Sequence, residues 1–219
     1  MSLEAALAVH LGRFTLDVAF EIADGEVLGL LGANGAGKTT ALCAIAGLVP
    51  LERGRIALHG VVLDDAAAGI RVAPEARGIG FVFQDGRLFP HLSALENVAF
   101  GLRARGIARH KARARAREWL DRMGLAALAG ARASTLSGGE GRKVALARAL
   151  AIAPRALLLD EPLASLDEDA RIDVRDTLRR HLSEFAGPCA LVTHEPEDVR
   201  TLCTRTLHLV AGRSAKRET

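Results

Sequence analysis

The sequence predicts an α/β fold: a mostly parallel sheet covered by helices, an N-terminal antiparallel β segment, and a helical lobe inserted between two halves of the sheet domain. Three observations predict it. Continuous apolar runs recur at residues 27–31, 79–83, 156–159 and 189–193, the pattern of strands buried on both faces, with largely helical stretches between them. Earlier segments, 14–22 and 55–63, instead alternate apolar and polar residues, interrupted by turn signals at Asp24-Gly25 and His59-Gly60. Between Gln84 and Thr135 the strand signal stops and helical patterning takes over. With 219 residues and 49% hydrophobic content the chain can bury one substantial core. It is therefore expected to be a single domain, 1–219, in which 1–84 and 136–219 form the core and 85–135 the lobe.

Taken in order, the run 27–31 leads into residues 32–39, which read Gly-Ala-Asn-Gly-Ala-Gly-Lys-Thr. This is the pattern of a phosphate-binding loop, because glycines without a Cβ let the chain curl with its N–H groups pointing inward. A helix-compatible stretch, 40–48, follows, and a helix beginning near Lys38 adds the positive end of its dipole. Lys38 supplies a mobile cation for the β- and γ-phosphates of a nucleotide, and the Thr39 hydroxyl is a hard oxygen ligand for Mg²⁺. A glycine-rich turn capping an ordinary helix is the plainer alternative; the strand before it and the helix after it favour the nucleotide.

Within the lobe, Ser93-Ala94-Leu95-Glu96 has capping-box spacing and precedes a long arginine-rich helix, 103–122. Leu136-Ser137-Gly138-Gly139-Glu140 begins another helix. Ser137 and Glu140 can form a capping box and nothing more, but the pair Gly138-Gly139 costs helix stability and suits close approach of an anion. After the run 156–159, Asp160 and Glu161 emerge at the C-terminal edge of a strand, where such sheets bind ligands. Asp160 can hold Mg²⁺ and Glu161 can polarise the water that attacks a γ-phosphate, although two acids opening a turn before Pro162 is the ordinary reading of that pair alone. Gln84 and His194 also stand at strand ends, and in isolation each reads as a polar strand terminus.

The formal net charge of +3 is too small to imply nucleic-acid or membrane affinity. Cys43, Cys189 and Cys203 lack metal spacing and are expected to be reduced thiols, consistent with a cytosolic location. Residues 1–12 have no leader pattern, and no run approaches the roughly 18 apolar residues of a membrane span. Arg109, Lys111, Arg113, Arg115 and Arg117 make the basic helix a solvated face first, a docking face for an acidic loop second, and a nucleic-acid surface a distant third, since no aromatics interleave.

The ordered set of phosphate loop, Gln84, Leu-Ser-Gly-Gly-Glu, Leu-Leu-Leu-Asp-Glu-Pro, Ala164-Ser165-Leu166-Asp167 and His194 resembles the nucleotide-binding subunit of an ABC transporter over nearly the whole chain. The resemblance implies a P-loop NTPase core and a head-to-tail homodimer sandwiching two ATP molecules with Mg²⁺. Each ATP would be held by Gly32, Asn34, Gly35, Ala36, Gly37, Lys38, Thr39 and Thr40 of one copy and by Ser137, Gly138 and Gly139 of the other. It further implies Thr39, Gln84 and Asp160 at the metal, Glu161, His194 and Gln84 in catalysis, Asp167 as a cross-dimer link, and Gln84 as a sensor of the membrane partner. The implied partners are permease subunits at the cytoplasmic face of the cell membrane and, indirectly, an extracytoplasmic solute-binding protein, with no nucleic acid.

Residues 68–92, the Glu140 form of the signature and the segment 162–167 are similar to molybdate importer ATPases, which makes molybdate or a related oxyanion the expected solute, with thiamine, iron or another anion as alternatives. Those ATPases usually carry an additional C-terminal oxyanion-binding domain, and here a polar tail is expected after Gly212. Gly141-Arg142-Lys143 departs from the family's Gln-Arg-containing segment. No tyrosine is present to stack on adenine; Phe14 or His10 are candidates, and Phe14 reads first as a core residue. A soluble DNA-maintenance ATPase of the same signature would need a coiled coil or zinc module between its halves, and a translation-associated one normally has two such domains.

Overall fold

The computed structural model describes residues 1–215. In chain order, β1 (Ser2–Leu11), β2 (Phe14–Ala23), β3 (Val27–Leu31), α1 (Lys38–Ile45), β4 (Arg53–Leu58), β5 (Val61–Asp65), β6 (Ile70–Arg71) and β7 (Ile79–Val82) make the first part. There follow α2 (Ala94–Ala104), α3 (Arg109–Arg122), α4 (Gly138–Ala151), β8 (Ala156–Asp160), α5 (Glu168–Glu184), β9 (Cys189–Val192), α6 (Pro196–Leu202), β10 (Arg205–Val210) and β11 (Arg213–Ser214).

Among the described residues the strands join in the order β6-β5-β4-β1-β2-β11-β10-β3-β9-β8-β7. The N-terminal part is antiparallel, with β1 paired along its length to β2 and, on its other side, to β4. β1 does not stand out in the sequence because alanine is a poor strand former. Its alternation still buries Leu3, Ala5, Leu7 and Val9 on one face. His59 and Gly60 both take positive φ, 52° and 78°, the turn that matches strand twist, so the turn signal inside 55–63 divides it into two strands. The remainder is parallel: β10, β3, β9 and β8 pair in sequence, and β3, β8 and β9 are buried almost throughout. β11 joins the two parts, pairing with β10 on one side and β2 on the other. The expected polar tail after Gly212 thus begins as a strand; its last four residues, 216–219, lie outside the described residues.

Two compact units emerge, 1–81 with 155–161 and 182–219, and 82–154 with 162–181. The expected lobe, 85–135, falls wholly inside the second, which also takes in α4. In the first, the core gathers around Leu28, Leu30, Leu42, Ile45, Leu158 and Val192, with α1 packed on β1, β8 and β9. Arg77, whose side chain is fully buried, donates to Asp64 Oδ2 at 2.5 Å and to Ile45 O and Ala44 O at 3.0 and 3.3 Å. It thereby satisfies the last carbonyls of α1 with a cation at the negative end of the helix dipole.

In the second unit the single arginine-rich helix expected over 103–122 is two helices. Arg105 ends α2 and Gly106 turns the chain at φ 80°, so α3 starts afresh at Arg109. α3 buries Ala112, Ala116 and Leu120, a stripe at helical spacing, and leaves Arg109, Lys111 and Arg117 exposed. The Ser93 cap forms, but the Glu96 carboxylate goes to Arg103 and Arg113 instead of closing the expected box.

Candidate functional site

β3, β8 and β9 run parallel and in register, Leu30 opposite Val192 and Val192 opposite Asp160, so their C-terminal ends share one edge. Loop 32–39, Glu161 and His194 are the next residues on these three strands or nearly so, which is how side chains far apart in sequence meet.

The loop's conformation depends on its glycines. Gly32 sits at φ 143°, and a Cβ there would fall 2.2 Å from the Leu209 carbonyl oxygen. Gly37 sits at φ 103°, and a Cβ there would fall 2.8 Å from Phe14 Cζ, so neither position admits a side chain. Phe14 therefore packs against the loop and the core, and His10 Nδ1 lies 3.0 Å from Thr15 Oγ1. Ala36 is buried, its carbonyl accepting the Gly212 N–H at 3.1 Å, while Asn34 and Gly35 are exposed at the tip.

α1 begins at Lys38, where the helix start is expected, and carries no side-chain cap and no acid in its first turn. Its leading amides, including that of Thr40, are thus offered to a ligand. Lys38 is buried as a residue, and its ammonium donates to Gly32 O at 2.8 Å and Ala33 O at 3.0 Å. Burial lowers its pKa, with Glu161 and Asp160 opposing the shift. Thr39 is exposed and its Oγ1 donates to Asp160 Oδ1 at 3.1 Å.

Glu161 has its N–H bonded to Val192 O at 3.0 Å and holds φ at 46°, a left-handed value rare outside glycine. Its Oε1 lies 2.7 Å from His194 Nε2. An ionised carboxylate only accepts, so the bond requires a proton on Nε2. Backbone strain of this kind clusters at ligand and catalytic sites, and nothing in the residue pattern announces it.

The first unit therefore gathers Lys38, Thr39, Asp160, Glu161 and His194. Gln84, Ser137, Gly138, Gly139 and Asp167 stand on the second. Gln84 is exposed just after β7. Ser137 and Glu140 form the complete capping box, with Ser137 N–H to Glu140 Oε2 at 2.8 Å and Glu140 N–H to Ser137 Oγ at 3.3 Å. A Cβ on Gly138 would lie 3.2 Å from Leu166 Cδ2, and one on Gly139 3.2 Å from Ala170 Cβ, so close packing also accounts for the pair. Asp167 Oδ1 accepts the Ala170 N–H at 2.9 Å, a cap for α5. Among the described residues no cluster of three or more His, Cys, Asp or Glu could cage a metal, no disulfide forms and no helix is long and apolar enough to cross a membrane.

Residues 15–164 match the family model of the ABC transporter, and the chain belongs to that family. It is 45% identical over 205 residues to the molybdenum import ATP-binding protein ModC of Mycobacterium tuberculosis, covering 92% of this chain and 56% of that protein. To the Fe(3+) ions import ATP-binding protein FbpC of Streptomyces avermitilis it is 42% identical over 217 residues, covering 99% of this chain and 61% of that one. The chain thus spans a little over half the length of these curated relatives. A solved dimeric structure of a post-hydrolysis state of the ATP-binding cassette MJ0796, bound to ADP and Pi, superposes with a TM-score of 0.82 at 29% identity, covering 99% and 97% of the two chains.

Proposed function

We propose that the chain, as one ATPase domain, is the ATP-hydrolysing subunit of an ABC importer, acting as a homodimer on a separate permease at the cytoplasmic face of the membrane. The observation that carries this reading is the uncapped start of α1 beside buried Lys38, with a Thr39–Asp160 pair and a Glu161–His194 pair at one sheet edge. The amides of loop 32–40 bind the triphosphate, and Lys38 turns from its two carbonyls to the β- and γ-phosphates. Glu161 orients and polarises the attacking water, and His194 fixes the carboxylate and follows the γ-phosphate. Thr39 and Asp160 fit Mg²⁺: both present hard oxygens, and this ion is held by one or two protein ligands plus phosphates and needs no cage. Mg²⁺, when bound, would neutralise charge on the phosphates.

Ser137, Gly138 and Gly139 would close on the nucleotide of the other copy, Asp167 would link the copies, and Gln84 would sense the permease. Molybdate or a related oxyanion is the proposed solute, supported by the names of several relatives; iron is the second reading, because the FbpC relative matches almost the whole chain. An extracytoplasmic binding protein would deliver the solute. In vesicles holding this chain, its permease and a loaded binding protein, ATP turnover should rise with molybdate; a rise with ferric iron alone would transfer the assignment, and no turnover under any condition would end it.

A further inference from the structure

Two arginines of α4, Arg142 and Arg148, turn their guanidinium groups onto backbone carbonyls within the second unit. Arg148 donates to Gly86 O and Arg87 O, both at 2.7 Å. Arg142 reaches two different segments, donating through Nη2 to Ala164 O at 3.2 Å and through Nη1 to Phe83 O at 3.5 Å. Phe83 immediately precedes Gln84, and Ala164 lies in the turn that leads on to Asp167. Burial lowers the pKa of both arginines, with Asp85 opposing, so each group has been drawn partly out of water. A guanidinium placed so must find acceptors, and its planar fork can serve two carbonyls where an ammonium serves as a point.

Both segments are strained where the arginines hold them. Arg87 takes φ 42° and Ser165 φ 61°, values a side-chain-bearing residue keeps only when its surroundings impose them. A cavity of about 270 Å³ opens among Asp85, Leu88, Ser137, Arg142 and Ser165. Much of the space beside these segments is therefore open, and the guanidinium supplies a direct polar link between them. Gly141, beside it, leaves that space unfilled: a Cβ there would meet only Leu88 Cδ1, at 3.9 Å.

We propose that Arg142 is a positioning residue that locks the Gln84 loop and the 165–167 turn into one register on α4, so that a displacement of the loop reaches the turn. The tether stands on geometry alone; its consequence for turnover rests on the ATPase reading.

Hydrogen exchange on the full chain tests the tether. Arg142→Met should speed exchange about tenfold both at 84–88 and at 165–167, and Arg148→Met at 84–88 only, with 32–40 unchanged in each. Arg142→Lys, with one cationic centre, should leave at least one of the two segments fast. Wild-type exchange at 165–167 in Arg142→Met, or a uniform rise across the chain, would overturn the proposal. In steady-state kinetics Arg142→Met should lower kcat about tenfold with KM changed less than about twofold, the signature of lost positioning and not of lost binding. Unchanged kcat with both segments loosened would also overturn the positioning role. A wild-type chain that hydrolyses no ATP would instead sink the ATPase reading and leave exchange to decide the tether.

Discussion

The starts of α1 and α4 look alike in sequence, each a glycine-rich entry to a helix, and they are built in opposite ways. α1 has no side-chain cap, a buried lysine and two carboxylates behind it; α4 closes its own capping box and packs its glycines against Leu166 and Ala170. An open helix end is unsatisfied without a ligand. A closed one is stable alone and can act only as a second surface. A pattern that announces anion binding is therefore completed or cancelled by what the neighbouring side chains do.

The sharpest break in that comparison is chemical. Glu161→Gln should cut ATP turnover about a thousandfold while leaving ATP binding in place, since the amide keeps the shape but not the base; an undiminished rate would remove Glu161 from its role. Gly37→Ala comes next: φ 103° and the Phe14 ring forbid the methyl, so melting should show a loss of about 1–3 kcal/mol together with lost nucleotide binding. Gly139→Ala, at an ordinary helical conformation, should stay within about 1 kcal/mol of wild type, propensity offsetting the tight Ala170 contact. Ser137→Ala should cost about 1 kcal/mol in denaturant titration, whereas Thr39→Ala, which removes no cap but takes a donor from buried Asp160, should cost about as much and in addition weaken MgATP binding about tenfold.

The smallest effect is the most diagnostic of the open end. Burial depresses the Lys38 pKa below the unfolded value, so its charged form costs stability at neutral pH, and the cost is relieved as pH rises from the folded pKa towards 10.5. The melting temperature of the nucleotide-free chain, compared with that of Lys38→Met at the same pH, should therefore climb as pH rises from the folded pKa towards 10.5. A site that holds a cation out of water for a ligand is less stable for it.

Much of this was legible. The runs at 27–31, 156–159 and 189–193 became β3, β8 and β9 because a strand buried on both faces has no choice but to be apolar. The loop was legible because only glycine tolerates what Gly32 and Gly37 do there. β1 was hidden by its alanines, and the helix break at Gly106 by flanking arginines that continue the basic pattern across it. The left-handed φ of Glu161 is set by its bond to Val192, and the reach of Arg142 by where residues 83 and 164 end up; both are tertiary facts with no local signature. Lys38 was expected for its charge, but its burial was not visible in the sequence.

The contrast between the two helix starts is tested most directly by titrating MgATP, at a chain concentration low enough to keep protomers apart, into Lys38→Ala and Ser137→Ala side by side. Lys38→Ala should bind about a hundredfold more weakly than wild type, having lost charge-assisted contacts to phosphate, and Ser137→Ala should bind within about twofold. Equal losses in the two variants, or wild-type affinity in Lys38→Ala, would contradict the account.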